Sequence, residues 1–148
     1  PLFPDGPAPL EAALNAYAAR YADGFVRMTA AKVGIDAAHA ADEDVRALVR
    51  DGYGLLYEAK VDHTLFFRAL GELAAATDAL PPDDDALLAA LGDVFYDDHA
   101  RGAHGAALAA WLRAWHARLT RDDATTGDTP AARRARMHAV NPRYVLRN

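Results

Sequence analysis

The residues that could carry chemistry in this 148-residue chain are few. Of its histidines, His39, His63, His99, His104, His116 and His138, none forms the paired spacing around a glutamate that marks a helical zinc site. Asp97-Asp98-His99 with His104 is the one acid-rich histidine cluster, of a type that hard metals use, but its spacing matches no named site and a solvated helix end accounts for it. Asp83-Asp84-Asp85 invites magnesium; placed just after Pro81-Pro82, it reads more simply as the acidic start of a helix, where open amides favour carboxylates. Serine and cysteine are both absent, which excludes serine and thiol nucleophiles, disulfides and cysteine-ligated zinc from this stretch. The threonines have no evident base partner, and the glycines form neither a phosphate-cradling loop nor a nucleophile elbow. No catalytic, cofactor-binding or metal-ligating residue is assigned.

The elements around these groups follow a helical rhythm. Leu10, Leu14, Tyr17, Tyr21, Phe25 and Met28 recur every three or four residues after Pro9 and before Gly34, so one long amphipathic helix is expected. Ala41-Asp42-Glu43-Asp44 supplies capping carboxylates for a second helix, with Val45, Leu48, Val49, Leu55 and Leu56 as its buried stripe despite Gly52 and Gly54. Asp62 caps a third, from about His63 to Ala76, whose apolar face is Phe66, Phe67, Leu70 and Leu73. A fourth carries Leu87, Leu88, Leu91, Val94 and Phe95. After a turn around Arg101-Gly102, a fifth carries Leu108, Trp111, Leu112, Trp115 and Leu119. Residues 121–129 are polar and turn-forming and read as the internal loop. Thr129-Pro130 starts a sixth helix through Val140, and Asn141-Pro142 repeats the device at 141–148 for a helix that has barely begun. No stretch alternates as a strand does, and no repeat of fixed period points to a solenoid. The expected fold is all-α: an irregular bundle of about six helices, residues 1–148 forming one helical domain.

Composition narrows the class. Apolar types make up 52%, but 36 of the residues are alanine, so a limited set of larger side chains must fill the core. The Trp111/Trp115 and Tyr17/Tyr21 pairs read as core or interface stripes rather than ligand-stacking platforms. Arg68, near Asp62, is placed to hold a carboxylate of a neighbouring element or to lie along the surface. Residues 1–129 hold 11 basic and 21 acidic groups, whereas 130–148 hold five arginines and no acid. That basic end is expected to meet an acidic surface of its own protein rather than nucleic acid or membrane. No run has the length of a membrane span, and residues 1–6 lack a signal-peptide profile. The composition fits a bacterial-type cytoplasmic location.

Asn141-Pro142-Arg143-Tyr144-Val145-Leu146-Arg147-Asn148 closely resembles the Asn-Pro-x-Tyr-Val-Leu-Arg-Asn signature of the selenoprotein O family, also called YdiU. Val61-Asp62-His63-Thr64-Leu65-Phe66-Phe67-Arg68-Ala69-Leu70 resembles that family's Asp-Tyr-Thr-x-Phe-Phe-Arg-x-Leu segment, with His63 in place of the usual tyrosine. Tyr17, Tyr21, Met28, Lys32 and Gly34 are similar to its helix ending in Met-x-x-Lys-x-Gly. The motif residues carried over, in a structural role, are Asp62, Thr64, Phe66, Phe67, Arg68, Asn141, Pro142, Arg143, Tyr144, Arg147 and Asn148.

The resemblance implies a kinase-like (pseudokinase) protein adenylyltransferase, which moves AMP rather than phosphate from ATP to protein hydroxyls with magnesium. The glycine-rich, nucleotide-binding and metal-binding motifs of such an enzyme lie N-terminal to the matched segment, and the chain of full-length members continues past the octapeptide. The sequence therefore reads as a C-terminal helical excerpt. It would serve as scaffold, without catalysis of its own. Its partners would be the kinase-like core of the parent and, through the parent, protein substrates. ATP and magnesium belong to the parent, and no cofactor is expected in this segment. Arg143 and Arg147, four apart, would present one face to that core. The alternative is a free-standing helical interaction module that binds a partner through an aromatic face such as Trp111/Trp115.

Overall fold

The computed structural model describes residues 8–76 and 79–142. Six helices follow in order: α1 (Ala8–Lys32), α2 (Glu43–Glu58), α3 (His63–Ala75), α4 (Asp84–Ala89), α5 (Asp98–Thr126) and α6 (Pro130–Val140). A single 3-10 turn, Ala37–His39, lies between α1 and α2. Among the described residues no sheet forms; Val61 and Phe95 meet in one isolated antiparallel bridge. The fold is all-α.

Local chemistry sets the helix starts. Asp62, Asp83, Asp97 and Thr129 stand at N-caps, and each accepts a hydrogen bond from the amide three residues on, at Leu65 (2.9 Å), Ala86 (2.9 Å), Ala100 (2.6 Å) and Ala132 (3.2 Å). These oxygens satisfy amides that no preceding turn can reach.

Three expectations are corrected. The fourth helix stops at Ala89, so Val94 and Phe95 lie beyond it; there the Val94 carbonyl accepts the Asp62 amide at 2.8 Å and Phe95 pairs with Val61. No turn breaks the chain at Arg101-Gly102, because the Asp97 cap starts α5 before it and the helix runs through. The loop expected at 121–129 is mostly helix, since α5 continues to Thr126 and ends on Gly127 in the left-handed conformation, φ 65°. Arginines reward that helical geometry: Arg118 pairs with Asp122 one turn on, and Arg133 of α6 reaches Asp123 at 3.1 Å.

The core is built around α5. Helices α2 and α4 pack on it, α3 packs on α6, and the end of α1 touches α2 and α6. Phe66, Leu70, Leu87, Leu108, Leu112, Trp115 and Met137 are fully buried. Gly52 permits a close crossing: a Cβ there would stand 2.6 Å from the Trp111 ring. The glycine that weakens α2 as an isolated helix thus lets α2 approach α5.

Helix α1 forms over the expected span, Ala8–Lys32. Thr29 and Ala30 are buried, but every residue from Ala8 to Phe25 is exposed, and the stripe of Leu10, Leu14, Tyr17, Tyr21, Phe25 and Met28 is left largely uncovered by the described elements.

Candidate functional site

Described residues from each stretch that carries the family resemblance meet where α1 ends. The last four carbonyls of a helix have no partner within it. At α1 these are the carbonyls of Ala30, Ala31, Lys32 and the capping residue Val33, and all four are satisfied. The Ile35 amide donates to Ala30 at 3.0 Å and the Gly34 amide to Ala31 at 3.1 Å, a Schellman turn that needs a left-handed residue; Gly34 supplies it at φ 79°. The remaining two carbonyls are taken by side chains from distant sequence. Asn141 Nδ2 donates to the Lys32 carbonyl at 2.9 Å, and Trp115 Nε1 donates to the Val33 carbonyl at 2.8 Å.

The contact at Lys32 is reciprocal. Its Nζ donates to Asn141 Oδ1 at 3.2 Å and lies 5.2 Å from the centroid of the Phe67 ring. Arg68 Nη1 makes a long contact, 3.4 Å, with the Asn141 carbonyl, so it holds a backbone oxygen rather than the carboxylate considered from sequence. Asn141 is only 2% exposed, and both ends of its amide are paired. A buried amide left open would cost about 1–3 kcal/mol, which is why this geometry fixes the side chain.

Behind the junction, aromatic rings connect it to the core. Tyr53 and His63 lie against Phe67, which meets Phe66 edge-on at 5.5 Å; Phe66 leads to Trp111, stacked 6.3 Å from Trp115. Burial pushes the Tyr53 hydroxyl pKa up. Lys32, Tyr53, His63, Thr64, Phe67, Asn141 and Pro142 surround a cavity of about 230 Å³. The structure thus brings Thr64, Phe67, Arg68, Asn141 and Pro142 together. Asp62 serves as the α3 cap, and Phe66 points to the core. Arg143, Tyr144, Arg147 and Asn148, with the helix expected at 141–148, lie outside the described residues. Sequence reading missed Trp115 and Tyr53 as part of this junction; the tryptophan spacing signals burial but not which carbonyl the indole will cap.

A second polar region joins the α1–α2 connection to α5 and α6. Arg118, 8% exposed, pairs with Asp122 and reaches Asp42 at 3.0 Å, while Arg121 pairs with Asp44. Arg133, 3% exposed, pairs with Asp123, and Arg136 with Asp128. Arg134 reaches Glu72 at 3.1 Å. The arginines of α6 therefore meet acids of their own chain, as the charge asymmetry suggests. The Arg136 side chain holds the Asp128 carboxyl below the usual carboxylate range, and Arg121 does the same for Asp44. Desolvation, helped by the Arg133 charge, lowers the His116 pKa.

The acidic groups considered for metal serve other ends. Asp97 caps α5, Asp83 caps α4, and Asp84 accepts from Arg113 at 2.7 Å. No group of three or more His, Asp or Glu side chains is arranged to hold a metal ion among the described residues. Asp84, Asp122, Asp123 and Asp128 are engaged with arginines and Asp83 and Asp97 with helix amides, and without a grouped set of acids among the described residues these side chains do not fit a magnesium–nucleotide complex. The Trp111/Trp115 face is closed to a partner: the two rings are 7% and 0% exposed, and their indoles bond to Leu48 and Val33 carbonyls.

An all-α segment, with its motif residues clamping the end of one helix, is the class this geometry defines. Its affiliation follows from comparison with known proteins: the family described as protein adenylyltransferase SelO matches residues 6–148, and the chain belongs to that family. A protein nucleotidyltransferase YdiU of Xanthomonas campestris pv. campestris strain 8004 is 43% identical over 148 residues, all of this chain and 26% of the relative. One of the same name from Azoarcus sp. strain BH72 is 43% identical over 139 residues, 94% of this chain and 24% of the relative. The chain spans about a quarter of the length of these curated relatives. No solved structure matches it. No helix among the described residues is long and apolar enough to cross a membrane.

Proposed function

We propose that this chain is a helical scaffold segment of a cytoplasmic, selenoprotein O-like enzyme that transfers AMP from ATP to protein hydroxyl groups, its chemistry lying in a kinase-like core elsewhere in the longer protein. The observation that carries the reading is the meeting of residues from each of the family's three marked stretches at the α1 terminus, where Lys32, Arg68 and Asn141 take up one another's polar groups and Lys32 lies over the Phe67 ring. Residues arranged this way position backbone. The junction also holds Asn141 and Pro142 beside Lys32, Thr64 and Phe67. ATP and magnesium are bound by the longer protein. The names of the relatives support nucleotidyl transfer to protein.

The test is AMP incorporation into acceptor protein with labelled ATP and magnesium. The longer protein transfers AMP, and the 148-residue chain alone does not. Arg143→Ala with Arg147→Ala in the longer protein weakens transfer or lowers its melting temperature. AMP transfer by the isolated chain would overturn the reading, and full activity of the double variant at unchanged melting temperature would remove the docking face from it.

A further inference from the structure

The apolar stripe of α1 has no counterpart among the described residues. Leu10, Leu14, Tyr17, Tyr21, Phe25 and Met28 lie along one face, each between 46% and 67% exposed. Tyr17, Tyr21 and Phe25 follow one another with ring centroids 6.2 and 6.4 Å apart. A helix of 25 residues is about 37 Å long, and only its last turns are packed here. Isolated helices are marginal in water, and helices in proteins draw most of their stability from burying such a face. The stripe also does not end at the helix. Phe25 and Val26 continue it into a groove of about 670 Å³ between α1 and α2, lined further by Val45, Val49 and Tyr53. Tyr53 in turn lines the cavity beside Lys32 and Asn141. A mostly apolar surface, edged by Asp23, Glu43, Arg46 and Arg50, thus runs from Leu10 into the α1–α2 groove.

We infer that this surface is covered by the remainder of the longer chain, which packs an apolar helical face along α1 and into the α1–α2 groove. The inference rests on the reading of the chain as a segment of a larger enzyme, and it names a second docking surface, distinct from Arg143 and Arg147. Two observations favour this occupant. About three quarters of the length of the relatives lies outside the matched segment, ample to supply the covering face. A second copy of this chain suits the stripe less well: at heptad spacing, the position between Tyr21 and Met28 is Gly24, which offers a coiled-coil partner no knob.

The chain contains no cysteine, so Leu14→Cys and Tyr21→Cys each report accessibility by maleimide labelling, read by peptide mass at the substituted position. Labelling is compared between the 148-residue chain and the longer polypeptide of its reading frame, with sedimentation of both. The expected result is a monomeric short chain labelled at the rate of a free thiol, and labelling at least about 100-fold slower in the longer protein. Leu14→Lys with Tyr21→Lys leaves the melting temperature of the short chain unchanged and lowers that of the longer protein. Equal labelling in both overturns the inference. So does slow labelling of a short chain that dimerises with concentration, which assigns the stripe to a second copy, or a reading frame that starts just before Pro1. AMP transfer in the same preparations separates the two claims: protected α1 without transfer sinks the enzymatic reading alone, and exposed α1 with transfer sinks this one alone.

Discussion

Two aromatic pairs in this molecule share a spacing and have opposite fates. Trp111 and Trp115 are four apart in a helix of 29 residues; Tyr17 and Tyr21 are four apart in a helix of 25. The tryptophans are closed in the core with both indole N–H groups bonded to carbonyls, whereas the tyrosines are 67% and 62% exposed. Helical periodicity reports that a face is apolar; it is silent on whether the covering surface lies in the same segment. Around α5 the partners are all present, and Gly52 even makes room for them. Along α1 they are present only at the last turns, where Asn141 and Trp115 take the final carbonyls.

Substitutions sharpen this contrast. Trp115→Ala removes a buried ring and reopens the Val33 carbonyl, so urea unfolding of the chain should show a loss of about 3–5 kcal/mol. Arg118→Ala leaves the buried Asp122 without its arginine and should cost about 3 kcal/mol, while Arg118→Met with Asp122→Leu costs less than the single change. If the double variant were worse than the single one, the pair would matter through shape rather than charge.

Asn141→Ala breaks both contacts with Lys32 and is expected to cost about 1–2 kcal/mol, with the end of α1 losing hydrogen-exchange protection first. Acid should act next. Asp128 and Asp44 have folded pKa values lowered by Arg136 and Arg121, so their contribution is present above the ordinary carboxylate value and is lost as pH falls through it toward the folded value. Thermal melts should therefore drop below about pH 4, and Arg136→Gln should flatten part of that drop. The smallest effect belongs to the other member of the comparison: Tyr21→Ala should shift the stability of the isolated chain by no more than about 0.5 kcal/mol. A loss matching that of Trp115→Ala would mean that α1 is packed in the chain alone.

Much of this architecture is legible in the residues, and the exceptions have physical causes. The caps at Asp62 and Thr129 follow from local hydrogen bonding, which depends on a few neighbouring residues. The polar run at 121–129 was misleading for the opposite reason: alone it favours a turn, but arginines at 118 and 133 reward its helical form. Likewise Val94 and Phe95 keep helical spacing yet are drawn off by Asp62 and Val61. At the junction, the family motifs identify Phe67, Arg68 and Asn141, but no local rule couples Asn141 to a carbonyl 109 residues earlier, or Trp115 to one 82 residues earlier. Those pairings exist only once α3, α5 and α6 have packed.

Residue-resolved hydrogen exchange on the 148-residue chain tests the central contrast most directly. Amides from Leu108 to Leu119 in α5 should open only with global unfolding, while those from Leu14 to Phe25 in α1 should exchange within about tenfold of unstructured peptide. Equal protection of the two helices would contradict the account, because α1 would then have found its cover inside this chain.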